Sequence, residues 1–334
     1  ENTRLSCHDE RRPETQCLRV EINVSIFLKS LRSSQKYGSA VHITTSNMFW
    51  FSFILLVAVQ LGEASNDANC GKASVGLNAR IHGGQYATQG MFPWQASLKS
   101  LKHPAHLSYC GGTLYNNQWV ITAAHCVDEM LGGTDPNMWQ VRVGLASVAH
   151  WEHGRQDYNV TRVILHPHYH LFRPGEGRLQ PHMDLALLKL DRPVTLDAFV
   201  NNICLPDSDA SVGTDCIVSG WGVTSMHVEN SGPDDESDTL KWTYAPILDP
   251  GYCSQPHVWG SMMVSSQMLC AGYAQDDACE GDSGGPFICP SPDGSRWELQ
   301  GIVSWGDVPC GEKPTAYVRV TAFMSWIQQT IQSN

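Results

Sequence analysis

A serine, a histidine and an aspartate in three separate segments have the clearest chemical potential in this chain. Ser283 lies in GDSGGP, His125 in TAAHC and Asp184 in HMDLALLKL. A serine hydroxyl is a weak nucleophile until a base takes its proton, and that base needs a carboxylate that fixes its tautomer and stabilises its charged form. Each of these residue types is more often a surface or hydrogen-bonding residue than a catalyst, but together they would suit acyl transfer through a covalent serine intermediate.

Glycines surround the serine and give its segment a freedom that other residues lack. Gly281, Gly284 and Gly285 allow tight turns and leave room for a substrate beside the hydroxyl of Ser283. Such a turn can direct the backbone N–H groups of Gly281 and Ser283 at a developing oxyanion. The simpler alternative is an ordinary glycine-rich loop.

The elements that must position these residues are short strands. Runs such as WVITAAH, WQVRVG, LALLKL, CIVSGWG, LQGIVSW and AYVRV are rich in β-branched and aromatic residues and are separated by Gly, Pro and Asp. Many short strands with turn signals are typical of barrels and sandwiches. Helical spacing occurs only at the end, at Phe323, Trp326, Ile327 and Ile331. The sequence therefore predicts an all-β fold with one C-terminal helix.

Composition and charge narrow the range of partners. The chain has 334 residues, of which 42% are hydrophobic and 16% charged, and its formal net charge is −11. This composition supports a sizeable core and is not that of a disordered chain. Nucleic acids and anionic membranes both reward clustered Lys and Arg, so we expect neither as a partner.

An export signal is indicated by the first methionine and the residues after it. No methionine precedes Met48, and residues 48–64 have the apolar run and small residues of a signal peptide. The run is shorter than the roughly 20 residues that a membrane-spanning helix needs, so we predict a secreted, extracellular protein, with a membrane anchor as the alternative. Residues 1–47 lack periodic apolar patterning, and we interpret them as upstream sequence without a function.

The cysteines point to the same compartment. The chain contains twelve, of which ten lie between Cys70 and Cys310 and none of these ten forms a CxxC pair of the kind that zinc sites use. We therefore predict disulfide bonds formed in an oxidising compartment.

From Ile81 to Asn334 the chain resembles the trypsin/chymotrypsin-type serine proteases, with features of pancreatic elastase. The resemblance rests on the order His, Asp, Ser and on IHGG, PWQASL, CGGTL, TAAHC, DLALLKL, CLP, VSGWG, MLCAGY, GDSGGP and SWG. It implies two antiparallel six-stranded β-barrels with the active site between them and a C-terminal α-helix. It also implies that residues 81–334 are a serine endopeptidase domain, which needs no cofactor.

The same resemblance implies a role for each site residue. His125 would be the general base and then the general acid, Asp184 its orienting carboxylate, and Ser283 the nucleophile. Gly281 and Ser283 would form the oxyanion hole, and Ser304 would hydrogen-bond the catalytic carboxylate. The implied disulfide pairs are Cys70–Cys204, Cys110–Cys126, Cys216–Cys289, Cys253–Cys270 and Cys279–Cys310.

An activation cleavage is implied between Arg80 and Ile81. The new ammonium group of Ile81 would insert beside Asp282 and order the pocket and the oxyanion hole; the alternative for Asp282 is a solvated turn carboxylate. Residues 65–80 would be the activation peptide, which stays attached through the first of these disulfide bonds. The expected partners are therefore an activating protease, protein or peptide substrates, and protein inhibitors of proteases.

Three positions resemble those that shape the primary specificity pocket. Asp277 would lie at its base and pair with Arg or Lys of a substrate, and Gly306 would leave the wall open. Thr315, in KPTAY, stands where elastase has threonine and where trypsin and chymotrypsin have glycine. We predict cleavage after Arg or Lys, with an elastase-like preference for small residues as the alternative. Glu280 would line the mouth of the cleft or form its exposed rim.

Two further sequence features give weaker indications of ligands or modification. HPHYH, at residues 166–170, suggests a metal ion, but no second ligand motif accompanies it, and we predict no metal. Asn159 begins an N-glycosylation sequon. A catalytically silent homologue that acts as a binding protein is the alternative from another functional class; it would lack one of the three catalytic residues, and all three are present. We expect a monomer.

Overall fold

The computed structural model describes most of the chain from residue 68 onward. The predicted upstream segment 1–47, the signal peptide 48–64, the cleavage point Arg80–Ile81 and the pocket residue Asp277 lie outside the described residues. The described ranges are 68–76, 84–129, 133–173, 180–223, 236–272, 278–307 and 310–334.

Six of the first nine strands close into a barrel. Around it the strands follow the order β2-β3-β4-β9-β6-β5, with antiparallel neighbours throughout. Among the described residues, β7 and β8 pair with each other alone and form a hairpin. The nine strands are β1 (Gln85–Tyr86), β2 (Gln95–Ser100), β3 (Cys110–Leu114), β4 (Trp119–Thr122), β5 (Trp139–Val143), β6 (Gln156–Leu165), β7 (His170–Phe172), β8 (Gln180–His182) and β9 (Ala186–Leu190).

Large apolar side chains fill this first barrel. Trp94, Trp139 and Leu187 are almost completely buried in its core. Strand β9 is buried at every position except Lys189, which is half-buried. Successive side chains of a strand point to opposite faces, so an almost continuous apolar run suits a strand that is covered on both sides. This explains why LALLKL lacks the alternation of a surface strand.

Six strands from the second half of the chain, with β1 at one edge, form a seven-stranded sheet that curls into another barrel. The sheet order is β1-β11-β10-β13-β14-β15-β12. Just beyond β11, Ile247 pairs with Ala271 of β12, and the backbone N–H of Leu248 donates to the carbonyl of Cys270 at 3.0 Å. These contacts join β11 to β12 and close the ring of six strands, which confirms the predicted two-barrel class. The strands are β10 (Asp215–Gly220), β11 (Lys241–Pro246), β12 (Met268–Ala271), β13 (Pro286–Pro290), β14 (Trp297–Trp305) and β15 (Thr315–Arg319).

A helix ends the chain, as its spacing predicts. Among the described residues the α-helices are α1 (Pro250–Cys253) and α2 (Met324–Ser333). Ile327 of α2 is fully buried and Phe323, just before it, is nearly so, while Trp326 and Ile331 pack partly buried against the same core. The apolar face therefore docks α2 on the large core that includes the first barrel.

Five disulfide bonds join the pairs that the resemblance implies. One of them, Cys70–Cys204, ties the segment before β1 to the body of the protein across a sequence separation of 134 residues. That segment is also held by hydrogen bonds, since the N–H of Gly71 donates to the carbonyl of Asn202 and the N–H of Trp297 donates to the carbonyl of Gly71, both at 2.8 Å. The others are Cys110–Cys126, Cys216–Cys289, Cys253–Cys270 and Cys279–Cys310.

Candidate active site

A histidine and a carboxylate meet beside the first barrel. His125 lies in the 3₁₀ turn Ala124–Val127 that follows β4, and Asp184 lies between β8 and β9. Asp184 is only 1% exposed, and its Oδ2 lies 2.7 Å from Nδ1 of His125. The backbone N–H of His125 also donates to Oδ1 of Asp184 at 2.8 Å. A carboxylate only accepts, so Nδ1 carries a proton and Nε2 of the neutral ring is left to act as a base.

A third donor fixes the carboxylate from the second barrel. The hydroxyl of Ser304, on β14, donates to Oδ2 of Asp184 at 2.5 Å, and Ser304 is itself 4% exposed. The same carboxylate is therefore held by donors from both halves of the chain. This is the contact that the resemblance implies for Ser304.

The environment of His125 favours its protonated form. Burial alone would lower the pKa of His125, but the negative charge of Asp184 and the hydrogen bond to it outweigh that effect, and the pKa is raised. A base with a raised pKa takes a proton more readily, and the nearby carboxylate stabilises the resulting imidazolium.

Ser283 lies in the turn before β13 and is tied to the strands that lead to His125. Its carbonyl accepts from the N–H of Gly111, on β3, at 2.8 Å. The carbonyl of Gly111 in turn accepts from the hydroxyl of Thr122, on β4, at 2.8 Å. Thr122 is three residues before His125, so two hydrogen bonds through Gly111 connect the nucleophile segment with the base segment.

Close backbone approach explains why Gly284 follows the serine. Its φ is +76°, in the left-handed region, and a Cβ there would overlap Oγ1 of Thr122 and lie 2.6 Å from the carbonyl oxygen of Gly111. Any side chain would force the turn away from the first barrel. Gly284 therefore allows the contact between the two barrels at the site.

Asp282 directs its carboxylate into the protein rather than into solvent. Oδ1 accepts from the N–H of Gly222 at 2.8 Å and Oδ2 accepts from the N–H of Cys279 at 2.9 Å. A Cβ at Gly220 or at Gly222 would overlap this carboxylate. Burial raises the pKa of Asp282 to about 6, although the two amide hydrogen bonds oppose that rise. The solvated turn that was the alternative is wrong for this side chain.

A cavity of about 180 Å³ opens beside Ser283. Thr315 forms part of its wall and is only 3% exposed. A Cβ on Gly306 would stand 3.6 Å from Oγ1 of Thr315, so these two residues face each other and Thr315 narrows the space that Gly306 leaves open. The lining residues include Ala278, Cys279, Glu280, Ser304, Trp305 and Cys310.

One cavity residue was not foreseen from the sequence. Gln180, on β8, lines the cavity, is 9% exposed, and its side-chain oxygen has no hydrogen-bond partner among the described residues. It belongs to no recognisable motif. Only the course of the β7–β8 hairpin brings it to the site, and strand register of this kind cannot be read from one sequence.

Other candidate ligands lie around the site. Cys110, His125 and Cys126 have ligand atoms within 4.8 Å of one another, but the two cysteines form a disulfide bond and are not thiolates, so this cluster is no metal site. His166, from HPHYH, is buried against Phe323 and Trp326.

The sequon residue lies away from these contacts. Asn159 is an exposed residue of β6, paired in register with Gln140. Its side-chain amide donates to Oδ2 of Asp191 at 3.4 Å. The exposed position leaves room for a glycan.

Comparisons with known proteins agree with this geometry. The family model described as Trypsin matches residues 81–327. Serine protease 1 of Canis lupus familiaris is 38% identical in an alignment of 259 residues that covers 76% of this chain and 91% of that protein. Trypsin of Sus scrofa is 36% identical in an alignment of 259 residues that covers 76% of this chain and 97% of that protein. The family match contains His125, Asp184 and Ser283.

Proposed function

Because the chain belongs to the trypsin family of serine proteases, we propose that it is a secreted endopeptidase, made as an inactive precursor, that cleaves peptide bonds after Arg or Lys. Serine-type endopeptidase activity follows from the family itself. The observation that supports the catalytic assignment best is the buried Asp184 bonded to His125, with Ser283 linked to the same strands through Gly111.

The reaction begins with proton transfer from Ser283 to His125. As Nε2 of His125 takes the proton, Oγ of Ser283 forms a bond to the carbonyl carbon of the substrate, and Asp184 stabilises the imidazolium. The negative charge on the carbonyl oxygen is met by the N–H groups of Gly281 and Ser283. His125 then gives its proton to the nitrogen of the breaking C–N bond, and the amine leaves.

Water completes the cycle through the same groups. His125 removes a proton from a water molecule, which attacks the acyl carbon bound to Ser283 and forms a second tetrahedral intermediate. This intermediate releases the carboxylic acid as the serine oxygen regains its proton from His125. The cycle consumes one water molecule and needs no cofactor.

Activation is proposed from the surroundings of Asp282. Burial raises the pKa of Asp282 to about 6, and the charge of Lys241 only partly offsets that rise. The ammonium group that cleavage creates on Ile81 would supply a further positive charge and would stabilise the ionised form of Asp282. The neighbouring turn contains Gly281 and Ser283, so this ion pair would couple cleavage to the oxyanion hole.

We expect the Arg80→Gln variant to remain an inactive precursor, because a trypsin-like activator recognises the basic side chain before the bond it cuts. Peptidase activity after treatment with trypsin should stay at the level of the untreated chain, and N-terminal sequencing should show no chain that begins at Ile81. The matched control is Lys72→Gln, another basic residue of the activation segment, which should activate normally. Full activation of Arg80→Gln without a new terminus would contradict the proposal.

Cleavage after Arg or Lys is proposed from Asp277, which by the family resemblance would lie at the base of the pocket. The described wall limits this preference, since the buried Thr315 faces Gly306 across the cavity. A carboxylate at the base favours a basic side chain through a charge-assisted contact, while a threonine in the wall favours a shorter one.

Thr315→Gly is expected to raise kcat/KM on Arg and Lys peptides by about tenfold, because loss of one or two side-chain groups in such a pocket alters discrimination by roughly that factor or more. Paired peptide substrates with Arg, Lys or Ala before the cut provide the measurement. Thr315→Ser is the matched control, since it keeps the hydroxyl and removes only the methyl group. If peptides with Ala before the cut remain preferred in Thr315→Gly and Asp277→Ser leaves kcat/KM unchanged, the enzyme has the elastase-like preference for small residues.

The proposed location of the protein is extracellular. Five disulfide bonds suit an extracellular protein. No helix in the described part of the chain is long and apolar enough to cross a bilayer. The protein would act as a monomer on protein substrates, would be regulated by protein inhibitors that occupy the cleft, and would carry a glycan on Asn159. Recovery from the medium of expressing eukaryotic cells, with a mass shift on deglycosylation, tests these points.

A further inference from the structure

The histidine-rich segment HPHYH meets a further histidine from outside that segment. His170, in β7, is the register partner of His182, in β8. The centroids of the two imidazole rings are 4.9 Å apart, and the rings are tilted by 50°. The hairpin thus supplies the second ligand group that the sequence HPHYH lacks.

The separation of the two rings suits a shared metal ion. Zinc binds imidazole nitrogen at 2.0–2.1 Å, so two nitrogens in a tetrahedral site are roughly 3.3 Å apart. The two rings, whose centroids are 4.9 Å apart, would share an ion once rotation of the side chains brings one nitrogen of each ring to this spacing. Because the backbone ladder fixes both strands, little chain entropy is lost when the ion binds.

A hydrogen bond prepares one ring as a ligand. Nδ1 of His170 lies 3.0 Å from the carbonyl oxygen of His168. A carbonyl can only accept, so Nδ1 carries the proton and Nε2 of the neutral ring keeps its lone pair. Metal-binding histidines commonly have this arrangement, in which the second nitrogen donates to a carbonyl or carboxylate. His170 is exposed and His182 is half-buried, so an ion can enter from solvent.

The other two histidines of HPHYH, His166 and His168, are arranged less favourably for binding a metal ion. His166 is buried, and its ring packs edge-on against Phe323 and Trp326. The ring of His168 is exposed, with its centroid 5.8 Å from that of His166. Binding between these two would require His166 to leave its aromatic contacts.

We propose that His170 and His182 together bind one divalent metal ion of borderline softness, with Zn²⁺ as the probe, and that its occupation slows peptide hydrolysis. Imidazole suits zinc, copper and nickel better than calcium or magnesium. Water molecules complete the coordination of an ion that has two protein ligands.

The link to the reaction is the strand that contains His182. Gln180, two residues before it, lines the substrate cavity, and Asp184, two residues after it, binds His125. The positive charge of a metal ion bound between β7 and β8 opposes the imidazolium that must form on His125. The inhibitory effect rests on the proposed peptidase function, whereas metal binding does not.

Binding is tested by titrating zinc chloride into the full-length Ser283→Ala chain, which cannot digest itself, in a calorimeter near neutral pH. We expect one ion per chain and affinity at least about tenfold weaker in His170→Ala and in His182→Ala. His168→Ala is the matched control, because it keeps the backbone carbonyl that bonds His170. Since His170 is exposed, its variant stays informative if the half-buried His182 variant fails to fold. Unchanged affinity in the folded variants, or a loss confined to His168→Ala, would overturn the site.

Inhibition is tested on the activated enzyme after treatment with EDTA. Zinc should lower turnover reversibly, and His170→Ala should need at least about tenfold more zinc for the same effect. Inhibition with the same midpoint in that variant would assign the effect to His125 and overturn the regulatory role. Calorimetric binding without inhibition would keep the site and overturn its effect on hydrolysis. A chain without peptidase activity would leave the calorimetric result intact and refute the proposed function instead.

Discussion

Replacing Ser283 with alanine is expected to lower kcat/KM of the activated enzyme by about 10⁵-fold, because this change removes the atom that forms the covalent intermediate. The imidazole of His125 and its partner Asp184 stay in place, because the hydrogen bonds that hold them come from the backbone of His125, from its Nδ1–H and from the hydroxyl of Ser304, and not from Ser283. A loss of this size therefore reports on chemistry and not on folding. Hydrolysis of a fluorogenic peptide by the two activated proteins gives the measurement.

Two controls separate this result from a structural effect. Ser254 follows the last residue of α1, and its exposed hydroxyl donates to the carbonyl of Pro250. Ser254→Ala removes this hydroxyl and should leave kcat/KM unchanged. A fluorophosphonate probe, which acylates activated serines, should label the wild type and the Ser254 variant but not Ser283→Ala. A residual activity within tenfold of the wild type would refute the assignment of Ser283 as the nucleophile, whereas an activated wild type without peptidase activity would favour the binding-protein alternative.

Replacing Asp184 with asparagine is expected to lower kcat by about 10⁴-fold near neutral pH. Three donors converge on this carboxylate: Nδ1–H of His125, the backbone N–H of His125, and the hydroxyl of Ser304. An asparagine replaces one carboxylate oxygen by an NH₂ group, which cannot accept from these donors. The imidazole then places its proton on Nε2 and can no longer accept from the serine. Single-turnover and steady-state rates of the folded variant provide the measurement.

The pH profile distinguishes this effect from a general loss of structure. In the wild type the raised pKa of His125 means that activity falls as the pH drops through that value, because the imidazolium cannot act as a base. Without the charge of Asp184, the acid limb should move to lower pH and the rate should rise towards alkaline pH. Asp238→Asn, at an exposed position, should keep the wild-type profile. An unshifted acid limb in Asp184→Asn would show that another group controls it.

Local patterns predicted the site residues more readily than the packing around them. TAAHC, HMDLALLKL and GDSGGP each contain a chemically distinctive side chain in a short segment, so Ser283, His125 and Asp184 could be singled out without a fold. The strand runs and the helical spacing near the C-terminus likewise gave the all-β class and the final helix, because those periods reflect which faces are buried.

Contacts that depend on strand pairing or on residues distant in the chain could not be predicted from the sequence. Gln180 reaches the cavity and His182 meets His170 because of how β7 and β8 pair, and a shift by one residue would reverse the faces of a strand. Likewise, glycine patterns suggested a turn at the nucleophile, but the need for glycine at position 284 comes from Thr122, which is 162 residues away in the chain. Such distant neighbours leave no local signature.

The position of Gly111 makes catalysis depend on how the two barrels are aligned. One residue of the first barrel binds the nucleophile segment with its amide and the base segment with its carbonyl. A hinge opening between the barrels would break the first of these bonds while each barrel kept its own ladder. The catalytic rate would then depend on the alignment of the two barrels. Partly opened molecules would lose activity while keeping the β-sheet signal of a folded protein.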